Sequence, residues 1–444
     1  MLGLEMRPPR AYDPLPVSRK IRMTQVLDDI DLPAPLIPQA TQPTLTEKAV
    51  AVTTMPILVA LATSHMLNDI IQSLIPAMYP VLKAAHNFSF SDIGLITFTF
   101  QVTASILQPI VGSAADRRPQ PYLLPVGMTV TLIGLALLSQ AGSLPAILFA
   151  AGLIGAGSSI FHPEASRLAH MAAGKRHGFA QSLFQLGGNF GSSLGPLLAA
   201  WIIVPNGQGA AIWFTTIALV GILILTRVGT WYASQLHLLR SKPKTPRPLS
   251  ATPLSRPRLI LSIFILVLLV MSKNFYLVSF TNYYTFFLMH KFGVAVETSQ
   301  VLLFVFLFAV AAGTILGGPV GDRFGRKAVI WVSILGVAPF SLALPHAGLP
   351  MTVILSIVAG LIMASAFSTI VVYAQELVPG RVGMIAGLFF GVAFGGAGLA
   401  AAALGELGDR TSIEYVFQVC GFLPLIGVLT ILLPRANKKA GLSK

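Results

Sequence analysis

The chain has 444 residues, 54% of them hydrophobic and 10% charged, with a mean hydropathy of +0.76. That composition excludes an ordinary soluble protein and leaves an integral membrane protein as the class. The 30 basic residues against 16 acidic ones give a formal net charge of +14; their placement answers to membrane orientation, and no nucleic-acid partner is expected.

Residues 1–54 hold eight prolines and six Lys/Arg with no apolar core. They are expected to form a disordered cytosolic tail with no cleavable signal peptide. Apolar runs long enough to cross about 30 Å of hydrocarbon follow. Six lie at about 55–82, 90–115, 121–141, 144–168, 177–203 and 209–236, and six more at about 258–290, 297–321, 327–346, 351–376, 382–407 and 412–434. The Pro-, Lys-, Arg- and Ser-rich stretch 237–257 is expected to be a cytosolic linker, and 435–444 a cytosolic tail. The expected fold is an all-α membrane protein of twelve transmembrane helices in two pseudo-symmetric six-helix bundles, 55–236 and 258–434.

With the N-terminus in the cytosol, the inner loops, the tails and the Arg227 end of the sixth span hold 26 Lys/Arg and the outer loops only Lys83, Lys291 and Arg410. That bias is what translocation requires, and it places both termini on the cytoplasmic side of the membrane. Trp201, Trp213, Trp231 and Trp331 fall near predicted helix ends, where an amphipathic ring prefers the headgroup region. Cys420, the single cysteine, allows no intrachain disulfide.

The first span carries SHMLNDIIQSLIPAMYP, in which His65, Asn68, Asp69 and Gln72 fall within an arc of about 100°, one polar stripe on an apolar helix. A charge near mid-membrane costs on the order of 2.5–3.5 kcal/mol even on the mildest scale, so the stripe faces the bundle interior or water. Asp69 lies about fourteen residues into its span. It either loads and releases a proton as its surroundings alternate, or is a permanently paired packing residue.

In the fourth span, SSIFHPEASR places His162 and Glu164 around Pro163, whose ring lets the helix bend. Glu164 and Arg167, three residues apart, can pair. The pair is either purely structural, or Glu164 is a second proton group and Arg167 its switch or an anion contact. Two histidines eight apart, His162 and His170, are thin grounds for a metal site, and none is expected. In the fifth span Gln185 and Asn189 share a face and can hydrogen-bond a solute. The seventh span, MSKNFYLVSFTNYYTFF, sets Lys273 near mid-membrane, with Tyr276, Phe280, Tyr283, Tyr284 and Phe287 at helical spacing. Lys273 needs a partner or an aqueous cavity. It is expected to anchor an anionic solute beside the tyrosines, or to be neutralised by Asp69 across the two halves. The two are compatible if the pair closes when the site is empty and breaks on binding substrate or proton. Gln375 and Glu376 end the tenth span, at an inner gate or in plain solvent.

Two stretches repeat. RHGFAQSLFQLGGNFGSSLGPLLAA from Arg176 aligns with RVGMIAGLFFGVAFGGAGLAAAALG from Arg381 at an offset of 205, and QPIVGSAADRR resembles GGPVGDRFGRK with Asp116 and Asp322 separated by 206. Duplicated halves around a midplane site are a recurring carrier architecture.

GGPVGDRFGRK, with Gly318, Asp322, Arg323, Gly325, Arg326 and Lys327, resembles the cytoplasmic signature loop of the major facilitator superfamily. The first-half copy keeps Gly112, Asp116 and Arg117, while Pro119 and Gln120 replace the later glycine and base. The resemblance implies that these residues latch a cytoplasmic gate; an Asp beside a helix N-terminus and an Arg paired across the bundle are its physical basis. GNFGSSLGPLLAA, with Gly191, Gly195 and Pro196, is similar to the antiporter motif of drug exporters, where small residues let the fifth helix approach its partner. Through most of 55–434 the chain resembles the fosmidomycin-resistance branch of that superfamily, in SHMLNDIIQSLIPAMYP, GSSIFHPEASR, NYYTFFLMHKFG, FLFAVAAGTILGGPVGDRFGRK, WVSILGVAPF and YAQELVPGRVGM. It departs from drug antiporters at large in AAGLIGAGSS, which lacks their fourth-helix arginine.

The resemblance implies a proton-coupled antiporter exporting small drugs, anionic phosphonate antibiotics above all. It would work as a monomer, driven by the proton gradient without a cofactor. An uptake or exchange carrier for organic anions or phosphates remains open on the same polar inventory. So does a membrane-embedded receptor or enzyme, although no nucleophile or metal constellation supports one.

Overall fold

The computed structural model describes residues 53–117, 119–174, 176–239, 254–364, 366–378 and 382–434. The expected tail before residue 53, most of the linker and the C-terminal tail lie outside the described residues. Among those described, the chain is helical throughout and has no strand. Eleven segments are long and apolar enough to cross a bilayer, and the shorter Leu349–Met363 supplies the remaining crossing. The twelve expected spans are therefore present.

The first span is Met55–Ala77, continued by Tyr79–His86. The second is Phe90–Arg117, the third Leu123–Gln140 and the fourth Leu144–Ala172. The fifth, His177–Leu198, runs on through a wide π turn at Ala199–Ile203, and the sixth opens at Gln208–Phe214 and continues over Thr215–Leu239. In the second half the seventh is Arg256–Phe292, the eighth Val296–Phe324, and the ninth begins at Arg326–Leu335. The tenth joins Leu349–Met363 to Ala366–Leu377, the eleventh is Val382–Arg410, and the twelfth starts at Ile413–Gly421.

Irregularities have local causes. Pro76, Pro163 and Pro196 sit inside helices, where each removes a backbone donor. The first span breaks two residues beyond Pro76, and the π turn starts three beyond Pro196. Gly325 has φ +88°, so the tight connection between the eighth and ninth spans uses a backbone conformation that a side chain would strain.

Close backbone approach holds the spans together. A Cβ at Gly187, Gly191 or Gly195 would lie 2.1, 2.2 or 2.0 Å from Ala62, Met66 and Ser73 respectively, so one glycine face of the fifth span is pressed onto the first. In lipid, where apolar burial drives little association between helices, such contact is a main source of packing energy. The second and eleventh spans run antiparallel and equally close. A Cβ at Gly94 would meet the Ala401 carbonyl at 2.5 Å, and one at Gly405 the Phe90 carbonyl at 2.3 Å.

Candidate functional site

The first, fourth and fifth spans bring His65, Asp69 and His162 together. His65 Nε2 is 3.4 Å from Asp69 Oδ2, and His162 Nε2 is 3.7 Å from Oδ1. Asn68 donates to Asp69 Oδ1 at 3.0 Å, and Ser192 to Oδ2 at 3.5 Å. Both imidazoles are oriented from behind. His65 Nδ1 lies 2.8 Å from the Phe184 carbonyl and His162 Nδ1 3.2 Å from that of Ser158. A carbonyl only accepts, so each Nδ1 carries a hydrogen, and in its neutral form each ring turns a bare Nε2 toward a carboxylate. Two ring nitrogens and a carboxylate thus face one another, an arrangement able to take up a proton.

Room for the cluster comes from Gly188, where a Cβ would fall 2.4 Å from the His65 ring and 2.8 Å from Asp69. His65 is buried and stacks on Phe184 with centroids 4.1 Å apart, whereas Asp69 and His162 keep 15% exposure each. The His162 ring also meets Phe394 of the eleventh span at 5.7 Å, so the cluster faces the opposite half. The three donor groups lie within 4.8 Å of one another, close enough to hold a metal ion, a convergence that the spacing of His162 and His170 does not signal.

Around this centre, Gln72 accepts from Ser158 at 3.2 Å. Gln185 donates to Asn189 at 3.3 Å, and Asn189 crosses to Thr314 of the eighth span at 3.0 Å. Glu164 and Arg167 form a two-bond pair, Nε to Oε2 at 3.0 Å and Nη2 to Oε1 at 2.5 Å. Arg167 further donates to Tyr232 of the sixth span. Glu164 is buried, so this pair sits inside the first half, apart from the Asp69 contacts.

Lys273 does not neutralise Asp69, against one of the two expectations. Asp69 points among the first, fourth and fifth spans, whereas the Lys273 ammonium lies 5.4 Å over the Phe367 ring of the tenth, within the second half. It has no ion pair among the described residues. With Tyr276, whose buried hydroxyl meets no partner among the described residues, it lines a cavity of about 10 Å³ between the seventh, ninth, tenth and twelfth spans. The shared face expected for the seventh-span aromatics divides. Tyr283 donates to the Ala401 carbonyl at 2.6 Å, and Tyr284 to Ser356 at 3.3 Å. Tyr276, Phe280, Tyr284 and Phe287 instead build an aromatic stack with Phe417 and Phe306.

Of the expected gate residues, the side chains of Gly112, Asp116, Arg117, Gly318, Asp322 and Arg323 lie outside the described set. Arg326 pairs with Glu376 at 3.3 Å, and Lys327 donates to the Ile431 carbonyl at 2.8 Å and to that of Leu433. These bonds tie the ninth span to the tenth and twelfth within one half.

A cross-half cluster that sequence reasoning missed lies at the other end of the bundle. Asp409 accepts from the Phe90 amide at 2.8 Å, the Ser91 amide at 2.7 Å and the Ser91 hydroxyl at 2.6 Å. One signal was available: an acid in the last turn of a helix opposes the macrodipole and so calls for a partner elsewhere.

Comparison with known proteins adds the following. The Major Facilitator Superfamily profile matches residues 61–287 and 274–444. The chain is 56% identical over 387 residues to the "Fosmidomycin resistance protein" of Escherichia coli (strain K12), covering 87% of this chain and 95% of that one. It is 41% identical over 386 residues to the "Uncharacterized MFS-type transporter YfnC" of Bacillus subtilis (strain 168), covering 87% and 94%. Crystal structures of the nucleoside transporter NupG (TM-score 0.63, 12% identity, 85% and 98% covered) and of a bacterial homologue of the human lysosomal transporter Spinster (TM-score 0.62, 16%, 86% and 94%) share the fold.

Proposed function

The chain belongs to the major facilitator superfamily, and we propose that it exports small anionic drugs of the phosphonate class, fosmidomycin among them, in exchange for protons. The substrate class is supported by the 56% identity to a fosmidomycin resistance protein. The exchange is supported by one observation above all, the two imidazoles that turn bare Nε2 atoms toward Asp69 at 3.4 and 3.7 Å.

With a proton aboard, the cluster is held by charge-assisted bonds. When it is lost, three acceptors face one another and the arrangement repels itself. Proton release is thereby tied to movement of the first span against the fourth. His162 adjoins Phe394 of the opposite half, so that movement reaches the interface between the halves. Lys273 and Tyr276 offer a positive charge and a hydroxyl donor to the solute. Substrate is carried across the inner membrane, both termini remain in the cytoplasm, and one chain suffices.

The test uses purified protein in liposomes with an imposed pH gradient. Fosmidomycin moving against the proton flux, chemically unchanged, is the expected result. Movement of solute with the proton flux would indicate an uptake carrier, and solute flux indifferent to the gradient would overturn the coupling.

A further inference from the structure

The second span begins with Ser89 and Asp92 in a reciprocal capping arrangement: the Ser89 amide donates to Asp92 Oδ2 at 2.9 Å, and the Asp92 amide to Ser89 Oγ at 3.0 Å. Among the described residues, its other two leading amides, those of Phe90 and Ser91, find no partner in their own half. Asp409, in the last turn of the eleventh span and so in the other half, takes both. An unpaired helix N-terminus carries partial positive charge, and a carboxylate placed there gains from it. Ser91 Oγ completes the junction, reaching Asp409 at 2.6 Å and Glu406 at 2.8 Å, with Arg410 holding Glu406 at 2.6 Å. The Lys83 ammonium lies 4.2 Å from the Phe90 ring centroid. Deeper on the same side, Asn282 donates to Thr97 at 2.7 Å and Gln300 to the Ala77 carbonyl at 2.8 Å, and both bonds also join the halves.

We propose that Asp409, seated on the amino end of the second span, is the latch that closes the outer end of the passage, and that solute leaves only after this carboxylate has let go. The proposal rests on the exporter reading for what passes, but not for how the gate is built. The bonds are well suited to the task. Three are made by one carboxylate, so they break together, and at the bundle end the freed amides and carboxylate can take water in exchange. The deeper Asn282 and Gln300 contacts are single bonds and follow. The arrangement assigns gating to an acid at the far end of the eleventh span from the cytoplasmic signature loop, with the helix amino end as its receptor.

The test reads conformation directly. In a Cys420→Ala background, Ser143→Cys and His346→Cys place spin labels on exposed loops of the two halves at the outer end. Electron–electron distance measurements then compare Asp409 with Asp409→Ala and Ser91→Ala. The expected result is a rise of about tenfold in the open-to-closed ratio for Asp409→Ala, the effect of losing one charge-assisted bond or more, and a smaller rise for Ser91→Ala, which keeps its amide. An unchanged distribution in Asp409→Ala overturns the proposal. Should that variant not fold, Ser91→Cys with Asp409→Cys, bridged by a short reducible bis-thiosulfonate, is used instead. Transport must stop on bridging and return on reduction, and full transport by bridged protein is equally fatal to the latch. Failure of wild-type protein to couple efflux to protons would strike the exporter reading and leave both latch readouts intact.

Discussion

His65 and Asp69 stand one helical turn apart, Nε2 to Oδ2 3.4 Å, with the far nitrogen of the ring fixed on the Phe184 carbonyl of the fifth span. A neighbour one turn away on the same helix cannot drift, so under the proposed exchange this pair would be the fixed part of the proton site, and His162 the part that changes. Asp69→Asn replaces an acceptor that can ionise by an amide that cannot. We expect proton-driven efflux to fall by about tenfold or more, a barrier change of at least ~1.4 kcal/mol, with expression near normal. Substrate-driven alkalinisation in liposomes is the measurement, and wild-type rates in the variant remove Asp69 from the mechanism.

The two histidines should separate in their effects. His65 is buried, stacked on Phe184 and bonded to its carbonyl, so His65→Ala leaves a cavity and loses a hydrogen bond. A loss on the order of 2–4 kcal/mol is expected, read as a lower melting temperature in detergent. His162 is partly exposed and packs edge-on to Phe394, so His162→Ala should melt close to wild type while transport falls. Equal melting losses would mark His162 as another core residue.

The first-span stripe was legible because an acid in an apolar run has few interpretations, and the twelve spans because hydrocarbon thickness fixes their length. What was not legible was tertiary. Nothing in the spacing of His65 and His162, ninety-seven positions apart, says that the fourth span turns its ring onto the first. Lys273 declared itself by depth, yet whether it met Asp69 depended on how the seventh span is rotated, and rotation placed it over Phe367. The tyrosines misled for a related reason. Helical spacing tells which side chains share a face but not which neighbour covers it, and Tyr283 found the Ala401 carbonyl. Asp409 was not singled out in the sequence, because a charge at a helix end is ordinary until the facing amides are known.

Gly191 supplies a packing test. A Cβ there would come 2.2 Å from the Met66 carbonyl oxygen, which is backbone and cannot rotate aside. Gly191→Ala is expected to cost about 1–3 kcal/mol, the range for forced overpacking, and to displace Asp69, which lies less than one turn beyond Met66. Gly142→Ala, where the added methyl meets nothing within 4 Å, is the control. Thermal melts of the two proteins give the comparison; equal stability would show that the first and fifth spans can separate freely.

Lys273 tests the solute's charge. Among the described residues its ammonium has an aromatic ring beside it and no carboxylate paired with it, and the nearby Tyr276 hydroxyl has no acceptor. A cation left uncompensated at mid-membrane is costly, on the order of 2.5–3.5 kcal/mol or more, so an anion that enters its reach recovers part of that cost. Lys273→Met keeps the apolar stem and removes the charge. Affinity for anionic phosphonates should drop by about tenfold or more, since hydrogen bonds to a charged group contribute ~1.5–3 kcal/mol, while neutral solutes of similar size change little. Tyr276→Phe removes one donor and should show the same selectivity in smaller measure. Isothermal titration of both variants with a phosphonate and a neutral analogue decides the matter: parallel losses for the two solutes would mean that the seventh span has repacked and that Lys273 does not touch the cargo.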